Sequence, residues 1–323
     1  MEEKDLYIHA PSLLDLPKED VAVEISHLTK DYGKGKGLFD ISFKVPRGKT
    51  FGYCGTNGAG KTTTLRHIMG FIKPDAGSVQ VFGLDAWNDA PQIKKFIGYL
   101  PGEIAFPPFE NGSEFLKSQA EMLGVNDMAK AEKIINALQL DPTANLKRMS
   151  KGMKQKTALV AAFMHEPSLI LLDEPTTGLD PLMREAFINI IKEEKARGAT
   201  IIMSNHMFDE LEETCDYVAF IKDGHIVDIV DMDKIHHRPF REYLISFTKP
   251  QDFKKFDTQN FDILEKHEDN LAYILKVKNS KLNDLFKELQ KYEIKLIKEI
   301  QYTLEKYFMT NVIGELQDEQ HND

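Results

Sequence analysis

The chain has 323 residues, 42% hydrophobic and 28% charged, with 20 Gly and 14 Pro. At roughly 100–200 residues per domain it has room for two domains, and its composition excludes collagen-like and disordered classes. A net charge of −10 disfavours a life on nucleic-acid phosphates, and two cysteines, Cys54 and Cys215, cannot build a disulfide framework.

No signal-peptide pattern is visible at Met1–Pro11, which points to the reducing cytosol. A helix that crosses a bilayer needs about 20 mainly apolar residues. The best runs, Thr157–Met164 and Leu169–Leu172, break too early, so no span is expected.

Residues 1–20, with Pro11, Pro17 and scattered charges, read as an irregular leader. A strand begins at Val21, and a glycine-punctuated loop follows at Tyr32–Gly37. Leu38–Val45 reads as a second strand and Thr50–Cys54 as a third, which enters a glycine-rich turn at Gly55. Leu65, Ile68 and Met69 then have helical spacing. Residues 110–165 read as helical, with Phe115, Met122 and Leu123 on one stripe and Ile134, Ile135, Leu138 and Leu140 on another. Residues 168–172 are an apolar run of buried-strand length. A helix over Leu182–Lys195 and a strand over Thr200–Met203 complete an alternation that implies a parallel α/β sheet.

The pattern changes near residue 240. Strand (Glu242–Phe247), helix (Pro250–Phe256), strand (Phe261–His267), strand (Leu271–Val277), helix (Ser280–Leu289) and strand (Ile294–Gln301) follow in turn. This is the split βαβ, or ferredoxin-like, order. A final helix is expected from Leu304 to Gly314.

Gly55-Thr56-Asn57-Gly58-Ala59-Gly60-Lys61-Thr62 fits G-x-x-x-x-G-K-[ST]. The glycines let several backbone N–H groups face one anion, and the helix that follows adds its positive end. Lys61 is placed to reach the β- and γ-phosphates, and the Thr62 hydroxyl to ligate Mg²⁺. A strand 112 positions after Lys61 ends in Asp173-Glu174. An Asp there can hold Mg²⁺ through water, while the adjacent Glu can orient or deprotonate a water.

The residues around these two motifs narrow the class. Ser150-Lys151-Gly152-Met153-Lys154-Gln155 precedes Asp173, Thr176-Thr177-Gly178-Leu179-Asp180 follows Glu174, and Ser204-Asn205-His206 ends the next strand. Tyr32 lies 23 residues before Gly55. Across about Val21–Asp231 this ordered set resembles the ATP-binding subunit of ABC transporters, closest to bacterial exporters whose membrane part is a separate polypeptide. The resemblance implies a P-loop NTPase of ABC type at 21–238, with a RecA-like core, an antiparallel β subdomain and a helical subdomain. A small α+β accessory domain would occupy 239–323.

The resemblance also implies roles. Tyr32 would stack on adenine. Gly55, Asn57, Gly58, Ala59, Gly60, Lys61, Thr62 and Thr63 would hold the phosphates of ATP, with Mg²⁺ at Thr62 and Asp173. Glu174 would be the general base, and His206 would contact the γ-phosphate. Ser150 and Gly152 would open a helix that meets the γ-phosphate of ATP held by a second protomer, and Asp180 would link the two sites. A homodimer at the inner face of the cell membrane would then drive separate transmembrane permease subunits, in export, by closing on ATP and opening after hydrolysis. The rival class is a soluble ABC-type ATPase acting on ribosomes or nucleic acid. The single ATPase domain and the acidic balance disfavour it, and no nucleic-acid partner is expected.

Two positions depart from the family pattern. Gly102 stands where Gln usually follows Pro101, and Glu103 is the candidate replacement as a metal ligand. Lys151 and Met153 alter the usual Leu-Ser-Gly-Gly-Gln signature. Around residues 101–114, Phe106 and Phe109 suggest an apolar docking surface, against the alternative that they close the helical region's own core. Cys54, Cys215 and His236-His237 read as structural or solvated.

Overall fold

The computed structural model describes residues 18–256 and 261–312. Most of the expected leader and the end of the expected final helix lie outside the described residues. The chain divides into two compact units, one through Met232 and one from Asp233.

In the first unit, β1 (Val21–Asp31), β2 (Gly37–Pro46), β4 (Ala76–Val81) and β5 (Leu84–Asp85) form an antiparallel sheet in the order β2-β1-β4-β5. A six-stranded sheet has the order β10-β9-β3-β8-β7-β6. Its members are β3 (Thr50–Gly55), β6 (Ile97–Leu100), β7 (Leu169–Asp173), β8 (Thr200–Asn205), β9 (Tyr217–Lys222) and β10 (His225–Asp231). Five run parallel, and β10 turns back on β9 as an antiparallel edge. Strands β7 and β8 are buried along their whole length, as the apolar run and strand at those positions led one to expect. One core joins the two sheets, with Val23, Ile25 and Phe43 of the first meeting Phe51, Tyr53 and Leu171 of the second. The Phe43 and Phe51 rings stack at 5.1 Å.

Helix α1 (Lys61–Ile68) follows β3, and α2 (Ala90–Ile93) precedes β6. Helices α3 (Gly112–Leu123), α4 (Ala129–Ala137) and α5 (Lys151–Phe163) form the helical part, and α6 (Pro181–Arg197) and α7 (Phe208–Thr214) flank β8. Local chemistry sets the helix starts. Asn111 accepts from Glu114 N, Ser150 from Met153 N and Asp180 from Met183 N, and Pro181 fills the first position of α6. Helices α4 and α6 are tied by Lys130–Glu194, whose carboxylate is fully buried, and by Lys133–Glu193 at 2.7 Å.

Helix α3 corrects the expected stripe. Gly112, Phe115, Leu116 and Ala120 are its buried residues, whereas Met122 is 77% and Leu123 37% exposed. Phe115 and Met122 are seven residues apart and share a face, so Met122 is exposed because the surface covering that face ends before the last turn. Phe106 and Phe109 turn partly inward, at 4.8 and 6.0 Å from the Phe115 ring. Both therefore help close the helical core rather than standing free. Leu140 is buried but lies beyond the end of α4.

In the second unit, β11 (Phe240–Phe247), α9 (Pro250–Lys255), β12 (Asp262–His267), β13 (Ala272–Lys278), α10 (Leu282–Leu289) and β14 (Ile294–Ile300) follow in sequence after α8 (Met232–His236), which spans the division. The sheet order is β12-β13-β11-β14, all antiparallel. Each βαβ crossover thus leaves a gap that a strand of the other fills. Tyr243, Ile245, Phe247, Tyr273, Leu275 and Val277 alternate onto the face that packs with Phe253 of α9, with Phe256 just past its end, and with Leu285 and Leu289 of α10. The chain goes on into α11 (Leu304–Tyr307).

Two outcomes check this packing. Phe51→Ala removes a fully buried ring at the junction of the two sheets and should destabilise the first unit by about 3–5 kcal/mol, read as a lowered urea midpoint. Burial pushes the Cys54 thiol up to about 11 and the Cys215 thiol up to about 12. At pH 8 a thiol at about 11 is roughly one part in a thousand thiolate. Iodoacetamide should therefore leave both unmodified in the folded protein and alkylate two residues after denaturation.

Candidate functional site

The parallel register brings the chemistry to one edge of the six-stranded sheet. Cys54 lies opposite Asn205, and Asp173 opposite Ser204, so β3, β7 and β8 release their chains at one level. Ligands of open parallel sheets bind beyond such carboxyl ends.

The loop after β3 curls into α1. Gly60 caps that helix at φ +115°, and a Cβ there would meet Leu38 Cδ2 at 2.5 Å, so only glycine fits. Lys61 Nζ donates to the carbonyls of Gly55 at 2.7 Å and Thr56 at 3.2 Å. The loop is thus folded around its own ammonium group.

Asp173 is 2% exposed and satisfied on both oxygens. Thr62 Oγ1 donates to Oδ2 and Ser204 Oγ to Oδ1, each at 2.6 Å. Next in the chain, Glu174 has φ +49°, a left-handed backbone that non-glycine residues seldom adopt. Its N–H donates to Ser204 Oγ at 3.0 Å, and its carbonyl accepts from Gln155 Nε2 at 3.3 Å. Gln155 also donates to Pro175 O at 2.7 Å. Sequence reasoning did not single out Gln155 or Ser204 by role, because each acts through backbone or through another side chain.

A cleft of about 570 Å³ lies over this edge. Tyr32, Asn57, Gly58, Gly60, Lys61, Thr62, Thr63, Glu103, Asp173 and Glu174 line it. Lys36 and Arg66, which the sequence did not mark, line it too. Tyr32 lines this cleft and is 55% exposed, with Lys30 Nζ 5.9 Å from the centre of its ring. The Tyr99 hydroxyl is pushed above its ordinary pKa by burial and by the nearby Asp173 charge.

Gly102 has a physical reason here. A Cβ at that position would lie 3.0 Å from Asp173 Oδ2, a tight contact that a side chain makes only if its neighbours give by a few tenths of an ångström. Glu103 lines both the main cleft and a neighbouring one of about 360 Å³, which it shares with Lys151, Lys154 and Gln155.

Other expected site residues stand apart from the cleft. His206 is largely exposed, with Nδ1 4.0 Å from Glu174 Oε1. Ser150 caps α5 and Asp180 caps α6. Gly152 packs against the Asp180 turn, since a Cβ on it would meet Gly178 O at 2.7 Å. His237 pairs with Asp233 at 2.8 Å.

Comparison with known proteins agrees with this geometry. A family model described as ABC transporter matches residues 38–177. The bacitracin transport ATP-binding protein of Bacillus licheniformis is 31% identical over 303 residues, 90% of this chain and 97% of that protein. The Nod factor export ATP-binding protein I of Cupriavidus pinatubonensis is 33% identical, over 68% of this chain and 69% of its own length. A solved ATP-binding subunit of an ABC transporter superposes with a TM-score of 0.61 at 31% identity, covering 67% of this chain and 92% of that one. A dimeric ATP-binding cassette, 20% identical, shares the fold with a TM-score of 0.59 over 65% of this chain and 98% of its own. A likeness that extends from the phosphate loop through nearly the whole of another transport subunit makes the chain a member of the ABC transporter ATP-binding family, an ATPase of transport.

Proposed function

We propose that the chain is the ATP-hydrolysing subunit of an exporter, working as a homodimer with separate transmembrane permease subunits at the cytoplasmic face of the membrane. The observation that carries this reading is the cluster at the strand ends, where Thr62 and Ser204 hold Asp173 and Glu174 follows in a fixed left-handed turn beneath the cleft. Relatives named for bacitracin transport and Nod factor export support the direction. Among the described residues no helix is long and apolar enough to cross a membrane, so the pore is assigned to other chains.

ATP enters with its adenine on the Tyr32 ring, an apolar contact open to any base. Backbone N–H groups from Asn57 to Thr63 take the phosphates at the start of α1, and Lys61 leaves the loop carbonyls for the β- and γ-phosphates. The Thr62 hydroxyl and the Asp173 carboxylate are hard oxygen donors in one place, a set that suits Mg²⁺. Bound there, Mg²⁺ would neutralise charge on the β- and γ-phosphates. Glu174 accepts the proton of the attacking water, and His206, 4.0 Å from that carboxylate, steadies the γ-phosphate.

Ser150 and Gly152 lie outside their own cleft, which suits a role toward ATP held by a second protomer. Asp180 joins the two sites across that interface. Burial of two ATP molecules closes the pair, hydrolysis reopens it, and the motion drives the permease.

Glu174→Gln should keep ATP affinity within about two-fold, lower turnover by at least about 100-fold, and leave a stable ATP-bound dimer on gel filtration. Rapid hydrolysis in that variant sinks the assignment. Glu103→Ala should raise the Mg²⁺ concentration needed for half-maximal ATPase several-fold. An unchanged Mg²⁺ titration removes Glu103 from the metal's surroundings.

A further inference from the structure

Glu210, on α7, is a charged group with no task in the mechanism above. It is 5% exposed, and a carboxylate held that far from water persists only where partners hold it. One oxygen accepts two hydrogen bonds, from Thr176 Oγ1 at 2.7 Å and from Asn205 Nδ2 at 2.5 Å. The other oxygen is buried without a hydrogen bond and faces Arg184 Nε at 3.9 Å, so the hold on the carboxylate falls on Thr176 and Asn205.

Each partner sits beside a residue of the site. Thr176 is two residues past Glu174, in the turn that Glu174 begins. Asn205 immediately precedes His206. Arg184 is in the first turn of α6, four residues past Asp180, and its Nε also donates to Leu179 O at 3.2 Å. The Asn205 amide is held at its other end too, since Oδ1 accepts from His206 N at 2.7 Å and from Met207 N at 3.0 Å. Asn205 therefore has little freedom to shift without moving His206 or Glu210.

Glu174 needs such support. Its left-handed backbone lasts only where the surroundings over-determine it. Ser204 and Gln155 grip its N–H and carbonyl, Gln155 takes Pro175 O as well, and Thr177 N–H closes the turn on Glu174 O at 3.2 Å. Between them Thr176 anchors the turn from its side chain, and that anchor ends on Glu210.

We propose that Glu210 is a positioning residue for ATP hydrolysis: through Thr176 and Asn205 its buried carboxylate sets the spacing between the Glu174 turn and the His206 loop. This rests on the reading of Glu174 as the group that acts on water. Small misplacement of a reacting group costs on the order of 100-fold in rate, whereas most nucleotide contacts come from Tyr32 and the loop after β3, and the Glu210 carboxylate bonds Thr176 and Asn205 instead.

The test compares full-length variants by steady-state ATPase and by equilibrium binding of a non-hydrolysable ATP analogue. Glu210→Ala should lower kcat about 100-fold, with KM and analogue affinity within about two-fold. Glu210→Gln keeps an acceptor for both donors and should recover to within about ten-fold of the parent. Thr176→Val removes one donor and leaves the carboxylate intact, so it stays informative if Glu210→Ala does not fold, and it should cost about ten-fold in kcat. In a Glu174→Gln background, Glu210→Ala should add no further loss.

Unchanged kcat in both Glu210→Ala and Thr176→Val overturns the proposal. So does a loss that falls equally on analogue binding, or one that multiplies with Glu174→Gln. A Glu174→Gln chain that turns over at the full rate overturns the parent reading and this one together, whereas the Glu210 outcomes alone overturn only the positioning role.

Discussion

The site depends on how Asp173 is held. Its carboxylate is nearly out of water, and two hydroxyls, from the phosphate-loop helix and from the neighbouring strand, satisfy its two oxygens. Leaving such a group unpaired would cost several kcal/mol. The pairing therefore constrains everything around it. Strands β7 and β8 must align so that Asp173 lies opposite Ser204, and β3 must deliver α1 so that Thr62 arrives from the other side. The same Ser204 hydroxyl then accepts from the Glu174 N–H. A single hydroxyl thus ties the carboxylate of Asp173 to the backbone of the residue beside it.

Much of this was legible because motif and element coincide. A phosphate loop must lie between a strand and a helix, and an apolar run ending in Asp-Glu must be a buried strand opening at a sheet edge. Lys61, Thr62, Asp173 and Glu174 were therefore expected at one sheet edge. The start of α5 was legible as well, since a helix opening at Ser150 was expected and Ser150 caps it.

What escaped has physical reasons. The β9–β10 hairpin was not foreseen, although its turn is Asp223-Gly224 with φ +49° and +81°, the sequence signal for a tight hairpin. Strand β10 is an edge, and Asp228 and Asp231 break up its apolar residues, so it shows no continuous apolar run. Met122 was assigned inward because periodicity reports direction and not where a neighbouring surface stops. Glu210 carries no motif, and the motif that ends at Gln155 does not announce that its side chain holds the carbonyls of Glu174 and Pro175. The importance of both lies in which turn they touch, and contacts between residues distant in sequence cannot be read from spacing.

The close approach of Gly102 to Asp173 has a consequence for how the two positions answer to change. A Cβ at 102 would lie 3.0 Å from a carboxylate that two hydroxyls already hold, so a side chain there requires the loop after Pro101 to give by a few tenths of an ångström. Position 102 and the two hydroxyl bonds of Asp173 are therefore coupled: shortening Thr62 or Ser204 alters what position 102 can hold, and filling position 102 alters how firmly Asp173 is held.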